Sequence, residues 1–292
     1  MSKRLKRVCF WLSEEAALRL NGTIEKLVKE LAAHGLKAEV SYTHFAGGAD
    51  GVCSADSGEQ QAESLYLTDR PDIYAALRKK GRYVLPYYHE HNCSASFPGA
   101  VYAVERLEET DYASFDMAYR RLSGLPWDIL ETGRLRVRET TVGDVDSFYR
   151  IYGNPSVTAY MEDLCADRDE EIAYTKHYIE TVYAFYGYGM WTILEKESGE
   201  VVGRAGISWR EGFTLPELGF MIGVPWQGRG YAFEVCSAIL AYAKEELQME
   251  RMQALVQPGN EKSLGLCRRL GFMAVGETKI QGERHLVLEK EL

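Results

Sequence analysis

The run Gln227-Gly228-Arg229-Gly230-Tyr231-Ala232 constrains this chain more than any other. Before it, Glu217 to Val224 reads as a strand; after it, Tyr231 to Leu247 reads as a helix. A glycine turn that feeds a strand into a helix N-terminus aims several backbone N–H groups at one point. Together with the positive end of the helix dipole, those donors suit a phosphate or pyrophosphate. A Cβ at these glycines would restrict the backbone angles and block close approach. Two familiar phosphate loops do not fit the spacing. No Lys-Ser or Lys-Thr pair closes this turn as a Walker loop requires, and Phe233 stands where a dinucleotide fingerprint needs its third glycine.

The remainder of the C-terminal half supplies context. Leu135 to Glu139 reads as a first strand, followed by two amphipathic helices. Trp191-Thr192-Ile193-Leu194 and Val201 to Ile207 read as strands around the turn Glu197-Ser198-Gly199-Glu200. The Glu217 run is the next strand, and Ala254-Leu255-Val256-Gln257 follows the long helix as another. Then come Asn260-Glu261-Lys262-Ser263 and a helical stretch that closes on Leu270-Gly271-Phe272.

Q-x-x-G-x-A, N-x-x-S and L-G-F in this order resemble the GNAT N-acetyltransferases, over roughly Glu131 to Leu292. Glu217-Leu218-Gly219-Phe220 resembles the central-strand opening of the branch of ribosomal-protein-alanine N-acetyltransferases (RimJ/RimL-like). The resemblance implies a mixed, mostly antiparallel sheet splayed at its central strands and flanked by helices. It implies acetyl-CoA as co-substrate and a primary amine, a protein N-terminus or a small molecule, as acceptor. Ile222, Gly223, Val224, Gln227, Gly228, Arg229, Gly230, Tyr231, Ala232, Asn260 and Ser263 would form the cofactor site. Backbone groups from Ile222 to Val224, opened by a bulge, would hold the thioester and its oxyanion. Asn260 also suits a helix N-cap, and both roles can hold together. The sequence departs from the family pattern at Cys267, where many members carry a tyrosine that protonates the departing thiolate.

Chemistry on an amine needs a base, because a lysine-like ammonium keeps its proton up to about pH 10.4. Strand alternation puts Glu217, Gly219 and Met221 on one face and Leu218, Phe220 and Ile222 on the other. The apolar set belongs under the long helix, which turns Glu217 toward the acceptor as candidate catalytic base. Glu162 and Asp163 are weaker rivals. Tyr178, Tyr183, Phe185, Tyr186 and Tyr188 are candidates for the acceptor pocket through cation–π contacts, or for helix packing. The alternative function is a non-catalytic acyl-CoA sensor.

At 292 residues the chain exceeds one typical domain of about 100–200 residues, so two are expected: a small α/β domain over 1–130 and the acetyltransferase domain over 131–292. The two halves meet in what reads as a short turn, Gly124 to Thr132. In the first half Gly22 to Gly35 and Pro71 to Lys80 read as helices. Strands are expected at Ala38–Tyr42, Ser64–Thr68, Tyr83–Pro86 and Ala100–Val104, with a Gly/Ser/Asp-rich loop from Ala46 to Glu63. This half resembles a haloacid-dehalogenase-like or receiver-like α/β domain, with Thr68-Asp69 ending a strand; it lacks the D-x-D nucleophile pattern, so no phosphatase chemistry is assigned. A binding or regulatory module is the expectation.

His89-Glu90-His91 lacks metal-protease spacing, and no metal is expected. No apolar run reaches the roughly 18–20 residues of a membrane span, and Cys9 to Leu12 is too short for a signal-peptide core. Six scattered cysteines without a C-x-x-C pair point to reduced thiols and a cytoplasmic setting. Residues 133–292 carry 18 basic against 24 acidic side chains, a balance that disfavours nucleic acid and favours cationic acceptors. A homodimer is compatible with this reading.

Overall fold

Val8 to Leu12, five apolar residues in a row, are all buried, as a strand covered on both faces requires. They belong to β1 (Arg7–Leu12) of a computed structural model that describes residues 4–42 and 62–292. The chain divides between Leu125 and Pro126 into two units. The Gly/Ser/Asp-rich stretch lies, through Gln61, outside the described residues.

In the first unit β1 is followed by α1 (Glu14–Arg19), α2 (Asn21–Ala33), β2 (Lys37–Tyr42), β3 (Ser64–Thr68), α3 (Pro71–Lys79), β4 (Tyr83–Pro86) and α4 (Tyr112–Leu122). Strand order is β2-β1-β3-β4, and every pairing is parallel. Val8, Phe10, Leu12, Leu65 and Leu67 pack on one face with Leu27 and Leu31 of α2 and Phe115 and Tyr119 of α4. On the other face Cys9, Trp11, Tyr66 and Val84 meet Ile73, Tyr74 and Leu77 of α3. Helices on both faces make this a three-layer α/β unit. The expected strand at Ala100–Val104 does not form. Only Val104 reaches the sheet, as a bridge to Tyr87, and Val101 is exposed. A strand needs a partner ladder, and among the described residues the pairing here stops at that one bridge.

The second unit contains β5 (Asp128–Glu131), β6 (Leu135–Arg138), α5 (Val145–Tyr152), α6 (Arg168–Tyr178), β7 (Met190–Glu195) and β8 (Val201–Ser208). It continues through β9 (Glu217–Ile222), α7 (Tyr231–Glu245), β10 (Arg251–Val256), α8 (Glu261–Arg269), β11 (Met273–Ile280) and β12 (Glu283–Glu291). β5 occupies residues read as part of a connecting turn; it pairs with β6 and so belongs to the second unit. The eight strands run in the order β11-β12-β10-β9-β8-β7-β6-β5. All neighbours are antiparallel except β9 and β10, which are parallel and share one register pair, Glu217 with Gln253.

That single pair is the apex of a splay, and beyond it β9 and β10 separate. On one face Leu218 and Ile222 of β9 join Val235, Cys236 and Ile239 of α7 in the main core. On the other, Met221 packs with Phe148, Ile151 and Tyr152 of α5. Period-two alternation therefore sorts β9 as its sequence predicts. Among the described residues no helix is long and apolar enough to cross a membrane.

Candidate active site

The glycine turn is built for its position. After β9, Val224–Trp226 makes one 3-10 turn, and Gly228 and Gly230 follow with φ of 76° and 82°. Those left-handed values cost any residue with a Cβ, so the turn selects glycine. Gly230 is the N-cap of α7 and supplies no side chain to its first amides. These donors at the positive end of a 15-residue helix suit an anion.

Surrounding side chains fix the turn without entering it. Gln227 donates from Nε2 to the Ile222 carbonyl at 2.9 Å and accepts from Lys262 Nζ at 3.2 Å, linking the end of β9 to α8. Arg134, ahead of β6, donates to the Arg229 carbonyl at 2.9 Å, pairs with Glu234 of α7, and lies 4.5 Å from the Tyr231 ring centre. Tyr231 is buried, and its hydroxyl donates to Glu195 at 2.5 Å. Hydrogen bonds from Tyr231 and Ser198, with help from Arg229, hold the Glu195 carboxyl below the usual carboxylate range. Of the expected cofactor residues, Tyr231 therefore has its side chain committed to the fold, leaving its backbone for a ligand. Asn260 caps α8 by accepting the Ser263 N–H at 3.2 Å.

The expected bulge between Ile222 and Val224 is absent. β8 and β9 keep an uninterrupted register from Ser208–Glu217 to Gly203–Ile222, and the Gly223 N–H goes on to the Val202 carbonyl at 2.8 Å. The register shift lies one strand away, between β7 and β8 at Ile193 and Leu194. The slot opens because β10 leaves β9 after one pair. Gly223 is consequently spent as a donor, while alternation turns the backbone of Phe220 and Ile222 toward the opened side.

Glu217 sits at the apex on the face away from α7. Its side chain is 12% exposed, and Oε2 accepts from Arg210 Nε at 3.0 Å. Gln253 fixes the same corner. Almost fully buried, it donates its N–H to the Pro216 carbonyl at 2.9 Å and its side-chain amide to the Leu215 carbonyl at 2.8 Å. The rival carboxylates are exposed and occupied: Glu162 accepts from Gln281 at 3.1 Å, and Asp163 from the Leu164 N–H at 2.8 Å.

The aromatic candidates separate into two groups. Tyr178 accepts the Met190 N–H at 2.7 Å and Tyr183 donates to the Met190 carbonyl at 2.6 Å, so both brace the start of β7. Burial pushes both phenols above their ordinary range. A π-helical turn, Ile179–Tyr183, lies between them and gives the five-residue offset that lets both reach one residue. Phe185 and Tyr186 are instead exposed, and Tyr188 accepts the indole N–H of exposed Trp209. The sequence signal at Trp209 and Arg210 is slight: a tryptophan and an arginine just past the end of a strand, beside a hairpin turn. Cys267 is fully buried, and burial pushes its thiol up to about 11, making it a poor proton donor.

Comparison with known proteins agrees with this architecture. Residues 134–273 match the model of the acetyltransferase (GNAT) domain. YkkB of Bacillus subtilis (strain 168) is 30% identical over 149 residues, 49% of this chain and 84% of that one. The [ribosomal protein uS5]-alanine N-acetyltransferase of Escherichia coli (strain K12) is 37% identical over 98 residues, 33% of this chain and 48% of its own. Among solved structures, a GNAT-family acetyltransferase from Bordetella pertussis aligns with a TM-score of 0.50 and 26% identity, covering 56% of this chain and 99% of that one. The domain match, together with the N-acetyltransferase YoaA of Bacillus subtilis (strain 168), 30% identical over 155 residues that cover 51% of this chain and 84% of that one, makes the chain an acyltransferase of the GNAT family.

Proposed function

We propose that this chain transfers the acetyl group of acetyl-CoA to a primary amine, on a protein N-terminus or a small molecule. The carrying observation is the splay of β9 from β10, with a carboxylate at its apex and an uncapped helix N-terminus at its open end. The turn from Gln227 to Ala232 would take the pyrophosphate on backbone donors. The pantetheine arm would lie in the slot as an added strand beside β9, with Asn260 and Ser263 at its other wall. The position of Glu217 supports its assignment as base.

The reaction follows in order. Glu217 removes a proton from the acceptor's ammonium, and the free amine attacks the thioester carbonyl. A C–N bond forms and the C–S bond breaks. Coenzyme A leaves as a thiolate that recovers a proton from solvent or from the nitrogen of the tetrahedral intermediate, because Cys267 is buried and weakly acidic. The likeness to a uS5-alanine acetyltransferase supports a protein N-terminus as one acceptor class to examine. The net acidity of residues 133–292 favours cationic acceptors of either class.

Calorimetric titration with acetyl-CoA, followed by a thiol-release screen over amines and N-terminal peptides, tests this reading. Micromolar binding with thiol release is expected. Binding without release from any amine would favour acyl-CoA sensing, and no binding would remove the proposal. Glu217→Gln should keep acetyl-CoA affinity and lose about 100-fold in kcat/KM, within the usual range for a general base.

A further inference from the structure

We infer that Arg210 is a positioning residue for Glu217, a role that rests on the reading of Glu217 as base. Arg210 Nε holds Glu217 Oε2 at 3.0 Å, and no contact to Oε1 competes among the described residues. The contact thus distinguishes two otherwise equivalent oxygens: Oε2 is tethered, and Oε1 is left to meet the acceptor's ammonium. The two residues lie on opposite sides of one hairpin, Glu217 opposite Ser208 in the strand register and Arg210 two residues past it.

The hairpin is itself tied down. Phe213 N–H closes onto the Arg210 carbonyl at 3.2 Å, and Gln253 takes two consecutive carbonyls, Leu215 and Pro216, from β10. Arg210 is therefore carried on a segment fixed to both strands of the splay, and the carboxylate it holds lies at the one register pair those strands share. A base must stand in reach of one proton. Misplacing such a group by about 1 Å can cost on the order of 100-fold in rate. Exposure of the arginine side chain at 38%, against 12% for the glutamate, fits a residue that acts through its neighbour.

The test is a double-mutant cycle in the full chain, with an alanine-initiated hexapeptide amide as acceptor probe. Arg210→Gln should lower kcat/KM about 10-fold or more with acetyl-CoA affinity unchanged, and Arg210→Lys should recover part of the loss. In the Glu217→Gln background, Arg210→Gln should cost nothing further, because its effect passes through the missing carboxylate. A full additional loss there would overturn the inference while leaving the base reading intact. If Glu217→Gln keeps its rate, the base reading falls and takes the inference with it. A crystal structure of Arg210→Gln needs no acceptor: a displaced or multiply placed Glu217 carboxylate is expected, and an unmoved one would overturn the inference.

Discussion

Two places in this molecule present polar groups at the end of a sheet, and they differ in whether those groups are spent. In the first unit the chain leaves β1 for β2 on one side and places β3 on the other, which is where open parallel sheets bind ligands. Here, however, Asp69 accepts the Ser13 N–H at 2.8 Å, the Ser13 hydroxyl at 2.5 Å and His89 Nε2 at 3.2 Å. His89 Nδ1 accepts the His91 N–H, which leaves the ring proton on Nε2, and Asn92 donates to the carbonyls of Asp69 and Tyr87. Among the described residues the cluster is closed on itself and fastens three loops. In the second unit, the splay leaves the N–H groups of Phe220 and Ile222 without a partner ladder on the β10 side among the described residues, with the Ile222 carbonyl taken by Gln227, and α7 begins without a side-chain cap. Position in a fold suggests where a ligand could go; unspent donors decide whether one is wanted.

The comparison breaks most easily at the open site. Gly230→Val places a β-branched residue at φ 82° in the glycine turn, and calorimetry should show acetyl-CoA binding weakened by more than about 100-fold. Retained affinity would mean that the turn is not the anion site.

A buried carboxylate in the second unit gives the next largest effect. Asp144 is desolvated, which raises its pKa, but Arg138, the Thr141 N–H and Thr192 outweigh burial and leave it below the usual range. Asp144→Asn should destabilise the unit by about 2–4 kcal/mol in denaturant titrations near neutral pH. The sign follows from linkage. A carboxylate with a depressed folded pKa contributes its stability above its unfolded value of about 3.9 and loses it as pH falls through the folded value. The gap between wild type and variant should therefore close below about pH 4; a constant gap would assign the loss to packing.

Asp69→Asn sharpens the contrast from the closed side. Loss of a charged acceptor from the Ser13–Asp69–His89 cluster should cost about 1–3 kcal/mol in thermal or denaturant unfolding. Acetyl-CoA affinity should stay within about twofold of wild type. A large loss of affinity would show that the cluster serves the cofactor and is more than a fastening.

The smallest effect is expected at Cys267, where alanine should leave kcat/KM within about threefold at neutral pH. A steep loss would restore the thiol as proton donor despite its burial.

Much of the second unit was legible because its signals are short-ranged. The sorting of Leu218 and Ile222 from Met221 needs only a two-residue period, and the turn at Gly228 and Gly230 needs only backbone angles. Asn260 reads as an N-cap from its place before a helix, and it is one. What stayed hidden depended on distant partners. Tyr178 and Tyr183 carry the same aromatic signal as Phe185 and Tyr186, yet the π-helical turn sends the first two into the core and the others to solvent. Ala100–Val104 has strand composition, but only Val104 pairs, as a single bridge to Tyr87.

By itself, the sequence determined β9 and the long helix after it, the glycine turn between them and the face on which Glu217 lies, because periodicity and backbone angles are set within a few residues. Only the tertiary structure decided that β9 and β10 part after one pair instead of at a bulge, that Gln253 and Arg210 fix the apex, and that Asp69 closes a cluster. Each of these joins groups far apart in the chain, or selects one contact among many, and pairing of that kind is settled only when the whole fold closes.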